Sequence, residues 1–82
     1  MERLIYTSHA LTRMRERAIS RQNVSDAIRY PDHCYQVKLR GSRSRKFEYA
    51  KRMGNRTLRV VFKWKRDSAP KVVITAHWED ET

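Results

Sequence analysis

Two runs near the C-terminal end constrain this chain most. Leu58, Val60, Phe62 and Trp64 alternate with Arg59, Val61 and Lys63, and Val72, Ile74, Ala76 and Trp78 alternate with Val73, Thr75 and His77. A period of two is the signature of a strand with one buried face, because successive side chains leave a pleated backbone on opposite sides. Asp67-Ser68-Ala69-Pro70 separates the runs and reads as a turn, so the two strands are antiparallel neighbours. Gly54-Asn55 makes a tighter reversal before Arg56, after a strand in which Phe47 and Tyr49 share a face. Tyr35, Val37 and Leu39 alternate in the same way upstream.

The first thirty residues follow a different period. Leu4-Ile5-Tyr6 reads as a short strand, and Thr7 or Ser8 can cap a helix after it. Ala10, Leu11, Met14 and Ala18 fall on one side of the helical wheel and form its buried face. Ser20 is the N-cap of a second helix, with Ile19 and Val24 placed as a hydrophobic staple and Val24, Ala27 and Ile28 as the apolar side. Tyr30-Pro31 ends it, because the residue before proline is pushed out of the helical region. The expected fold is α+β: a short N-terminal strand, then two helices packed on a four-stranded, mainly antiparallel sheet, in the order β-α-α-β-β-β-β, as one domain over residues 1–82.

A chain of 82 residues buries roughly 60–65% of its unfolded surface, so its core is small and an active site is a shallow groove rather than an enclosed pocket. Nineteen Lys and Arg against nine Asp and Glu give a net charge of +10, a field that draws polyanions. RNA or another nucleic acid is the first partner this implies, an acidic protein the second. One cysteine, Cys34, excludes an internal disulfide, and the start of the chain shows no basic-then-apolar leader; both predict a cytoplasmic protein. The longest apolar runs, such as Val60-Val61-Phe62, are far too short to cross a membrane. No cofactor or metal is expected: His33-Cys34 are adjacent, no CxxC occurs, the acidic residues are scattered, and there is no Gly-rich phosphate loop.

The candidate chemistry begins on the first helix. His9, Arg13 and Arg17 recur every four residues and form a stripe bordering the apolar side. Taken alone, such a stripe reads first as ordinary solvated helix residues, with Glu16 compensating Arg13 and Arg17 in part, and second as a phosphate site. On the sheet, Arg59, Thr75 and His77 fall opposite the apolar stripes and share a face if the strands align. Lys38, Arg40, Arg43, Arg45 and Lys46, with Gly41, Ser42 and Ser44 between, form a cationic loop suited to phosphate contacts or merely to solvent. Trp64 and Trp78 read as core, whereas Tyr49 lies among charges.

The run His9-Ala10-Leu11-Thr12-Arg13-Met14-Arg15-Glu16-Arg17-Ala18-Ile19-Ser20 closely resembles the H-A-x-x-R-M-x-x-R-x-I-S signature of a bacterial family of domains of unknown function, usually grouped with BrnT- and RelE-like toxin ribonucleases. The likeness extends through "YPD" to "VVITAHW"; Ala18 departs from it, standing where such sequences often carry glycine. The resemblance implies a RelE/barnase-like fold and a metal-independent endoribonuclease of toxin–antitoxin type, held in check by an acidic antitoxin. Cleavage of that kind needs a base for the 2′-hydroxyl, cations for the phosphorane and an acid for the leaving oxygen. His9 is the candidate for proton transfer, Arg13 and then Arg17 for phosphate charge, and His77 or Tyr49 for the acid, with Arg59 and Thr75 as weaker substrate contacts. A nucleic-acid-binding module without catalysis and a basic domain that binds an acidic protein remain the alternatives.

Overall fold

The computed structural model describes residues 3–37 and 45–79. Its order is β1 (Leu4–Tyr6), α1 (Ser8–Glu16), α2 (Arg21–Arg29), β2 (His33–Val37), β3 (Arg45–Met53), β4 (Arg56–Trp64) and β5 (Lys71–Trp78). The strands form one sheet in the order β1-β5-β4-β3-β2. The pairs from β2 to β5 are antiparallel, as hairpin-length connections require, and Gly54 takes φ 66° in the tight turn between β3 and β4.

The expected four-stranded sheet is corrected to five strands of mixed direction. β1 joins β5 in parallel, with Leu4, Ile5 and Tyr6 opposite Lys71, Val72 and Val73. The α1–α2 pair carries the chain from one edge of the sheet to the other, and the β2–β5 meander then returns to β1. A pairing between the two ends of the chain leaves no local mark in sequence.

A second correction concerns the phase of β5. Val61 faces Thr75 but Phe62 faces Val73, so Ile74 is the extra residue of a bulge. The bulge reverses the alternation: Val73 joins Ala76 and Trp78 in the core, and Val72 turns to the other face with Thr75 and His77. The core is Leu58, Val60, Phe62, Val73, Ala76 and Trp78 beneath Ala10, Met14, Ile19, Val24, Ala27 and Ile28. Both helices therefore cover one face, α1 over β5 and α2 over β4 and β3. The other face has no layer above it among the described residues.

The helix ends are set locally. The Thr7 hydroxyl accepts from the Ala10 amide and donates to the Ile74 carbonyl, capping α1 while tying it to β5. Ser20 and Asn23 exchange side-chain and backbone bonds in a capping box at the start of α2. α1 stops at Glu16, earlier than its apolar pattern suggests. Ile19 N–H bonds Met14 C=O at 2.8 Å and Ala18 N–H bonds Arg15 C=O at 3.4 Å, a Schellman ending with Ile19 and Met14 both buried. Ala18 sits at its left-handed position, φ 54°, exposed rather than in the core.

Candidate nucleic-acid interface

The register composes the helix-free face row by row. One row runs His33, Ala50, Arg59, His77 across β2, β3, β4 and β5. The next runs Tyr35, Glu48, Val61, Thr75, and the third Val37, Lys46, Lys63, Val72. Directly opposed residues on one face bring their Cβ atoms to about 5 Å, so Arg59 and His77 stand side by side. Ala50 is 1% exposed, and its small side chain leaves the space into which the Arg59 guanidinium leans toward Tyr35, 5.9 Å from the ring centre.

Arg59 is the hub of this face. Its Nη2 and Nε both donate to Glu79 Oε1, at 2.5 and 3.2 Å, and its Nη1 lies 3.7 Å from Glu48 Oε1. The hydrogen bond from Arg59 holds the Glu79 carboxyl below its usual range, with the charges of Arg59, His77 and His33 acting the same way. The same bond to Glu79 raises the already high Arg59 value, so the guanidinium is permanently charged. Carboxylate, guanidinium and imidazole thus occupy β3, β4 and β5 in order: Glu48, Arg59, His77. Such a set can accept a proton, stabilise an oxyanion and donate a proton across one bound phosphate. Among the described residues, no three His, Cys, Asp or Glu side chains converge as ligands of a metal ion.

Of the residues singled out from sequence, Arg59, Thr75, His77 and Lys46 come together on this face. The other described ones lie elsewhere. α1 packs on the opposite side of β5, so the His9, Arg13 and Arg17 stripe is separated from His77 by the sheet. His9 is exposed in the first turn of α1, and Arg13 pairs with Glu16 at 3.0 Å. Arg17 is committed to the fold: its Nη1 donates to Ala76 C=O at 2.8 Å while its own carbonyl accepts from the Trp78 indole, also at 2.8 Å. β1 stops opposite Val73, and the β5 carbonyls beyond it are taken by Thr7 and Arg17 instead.

Tyr49 belongs to the helix-side aromatic cluster, its ring edge-on to Phe62 at 4.9 Å. Arg45 lies on that side too, over the Trp64 ring and donating to the Trp64 carbonyl. Lys38, Arg40 and Arg43 fall outside the described residues. Sequence reasoning missed Glu48 and His33. Glu48 reads as charge compensation in a basic stretch, and only the offset between β3 and β4 sets it beside Arg59; the alternation of Phe47 and Tyr49 was the available signal that Glu48 points away from the core.

The candidate surface is cationic at Lys46, Arg59 and Lys63, and no other element among the described residues covers it. No helix of the described residues is long and apolar enough to cross a membrane. No curated protein and no solved structure matches the chain. A family model does, over residues 6–78, from the last residue of β1 to the end of β5. The chain belongs to the family described as Domain of unknown function (DUF4258).

Proposed function

We propose that this chain is a metal-independent endoribonuclease of toxin–antitoxin type, built on a RelE/barnase-like plan, and that its RNA lies across the helix-free face. The observation that carries the reading is the adjacency of Glu48, Arg59 and His77 on three neighbouring strands. The resemblance of the α1 segment to a family usually grouped with toxin ribonucleases supports it, as does a net charge of +10. In the proposed reaction the Glu48 carboxylate takes the proton of the 2′-hydroxyl. The 2′-oxygen attacks phosphorus, and Arg59 stabilises the phosphorane charge. The P–O5′ bond breaks as the His77 imidazolium gives its proton to the departing oxygen. The products are a 2′,3′-cyclic phosphate and a 5′-hydroxyl. Thr75, one row away, is placed to contact the ribose or a neighbouring phosphate.

This assigns the proton transfers to the sheet rather than to His9, and leaves Arg13 and His9 as surface groups on the far side. In the cytoplasm such a protein would be restrained by an acidic antitoxin covering the same cations. A binding module without catalysis is the second reading; it draws on Lys46 and Lys63 standing directly opposed on that face. Induction in cells separates the two. Wild type and His9→Ala should degrade RNA and slow growth, while Glu48→Gln and His77→Asn should spare it. Loss of activity in His9→Ala with His77→Asn unaffected would move the reaction back to α1.

A further inference from the structure

Beyond the reacting groups, the helix-free face ends in an apolar hollow of about 320 Å³, lined by Lys63, Lys65, Ala69, Pro70 and Val72. Ile5, opposite Val72, extends the same apolar strip toward β1 and is 49% exposed. The hollow lies on the same face and strands as Arg59 and His77. Lys63 is four residues along β4 from Arg59, roughly 13 Å at strand spacing. At the hollow's end of that span the third row sets Lys46 directly against Lys63. Like charges in that position repel, and an anion lying over both relieves the repulsion.

We infer that this hollow is a nucleobase subsite: it receives a base of the same RNA strand whose phosphodiester sits at Arg59, with the intervening phosphate held between Lys46 and Lys63. The inference rests on the ribonuclease reading of the face. Its chemistry is that of single-strand recognition, in which ammonium groups follow the backbone while apolar surface takes the flat face of a base. Val72, Pro70 and Ala69 supply that surface, and the Lys63 and Lys65 heads stand at its rim. Among the described residues no polar side chain is buried, at the hollow or elsewhere, so the hollow selects for the presence of a base more than for its identity. The two subsites together demand a single strand, because a base inside a duplex cannot turn into the sheet.

Methyl and histidine-imidazole NMR on the whole chain tests this with a short 2′-O-methyl RNA of mixed sequence, which binds without being cut, beside an abasic strand of the same length. The base-bearing strand should shift the Val72, Ile5 and Ala69 methyl signals strongly, and the abasic strand should leave them nearly unmoved. Both strands should shift His77. Ala69→Glu, which sets a carboxylate at the rim of an exposed turn, should weaken binding of the base-bearing strand about tenfold and leave the abasic strand's affinity far less changed. Equal responses to the two strands would assign the hollow to phosphates or to an acidic peptide and overturn the subsite. Movement of His77 alone would overturn the subsite but leave the ribonuclease reading standing; no movement at either place would remove both.

Discussion

Ala18→Gly should make this protein more stable. Ala18 occupies the left-handed position of the Schellman ending between α1 and α2, at φ 54°. Its Cβ meets the following carbonyl there, a clash that costs about 1–2 kcal/mol for an L side chain. Glycine removes the clash but loses about 0.5–1 kcal/mol through its freer unfolded chain. The bonds from Ile19 to Met14 and from Ala18 to Arg15 are backbone bonds and survive the change. The net gain is therefore about 0.5–1 kcal/mol, which in a domain of this size raises Tm by about 2–8 °C. Thermal and urea unfolding followed by circular dichroism measure it, with an unchanged urea slope showing that the surface exposed on unfolding is the same. The β-branched Ala18→Val should move the midpoint the other way. Because Ala18 lies on the helix side, RNA affinity should not change in either variant. A lower Tm for Ala18→Gly would refute the left-handed junction, and with it the account of how α1 turns into α2.

Arg17→Met should lose about 1–2 kcal/mol of stability, because it removes the donor to the Ala76 carbonyl at the exposed edge of β5; RNA affinity measured at low temperature should stay near wild type, whereas a large loss of affinity would return Arg17 to the phosphate site. Acid unfolding should report the Glu79–Arg59 pair. The folded-state carboxyl of Glu79 is held below its ordinary value, so the pair stabilises the fold above the usual carboxylate range and that contribution disappears as pH falls through the lowered value. Glu79→Gln should therefore flatten the acid limb of a stability–pH curve, and an unchanged limb would show that the pair is not formed in solution.

What could be read from the sequence follows the range of the interactions involved. The stripe Leu58, Val60, Phe62 and Trp64 announced β4 because alternation is a property of consecutive residues. Ser20 and Ile19 announced the start of α2 for the same reason. β5 was read in the wrong phase over Val72 and Val73 because one extra residue, Ile74, inverts the alternation without any compositional sign. β1 found its partner in β5, across nearly the whole chain, where no local pattern operates. The site divides in the same way. His77 and Arg59 were recognisable as facing away from the core, but their cross-strand pairing depends on the bulge at Ile74: the register at the β4–β5 turn, with Lys63 opposite Val72, would by itself set Arg59 opposite Ala76. Glu48 entered only through a third strand, and Arg17, which looked like a free cation one turn from Arg13, is spent on a carbonyl that β1 is too short to reach.

The most direct measurement is cleavage of a short single-stranded RNA by the purified chain in the presence of EDTA, with the product ends identified by mass. The account predicts 2′,3′-cyclic phosphate and 5′-hydroxyl termini, and a rate that falls about 10²–10⁴-fold in Glu48→Gln and in His77→Asn while both variants keep the wild-type fold and RNA affinity. Products ending in a 3′-hydroxyl, or wild-type rates in both variants, would contradict it.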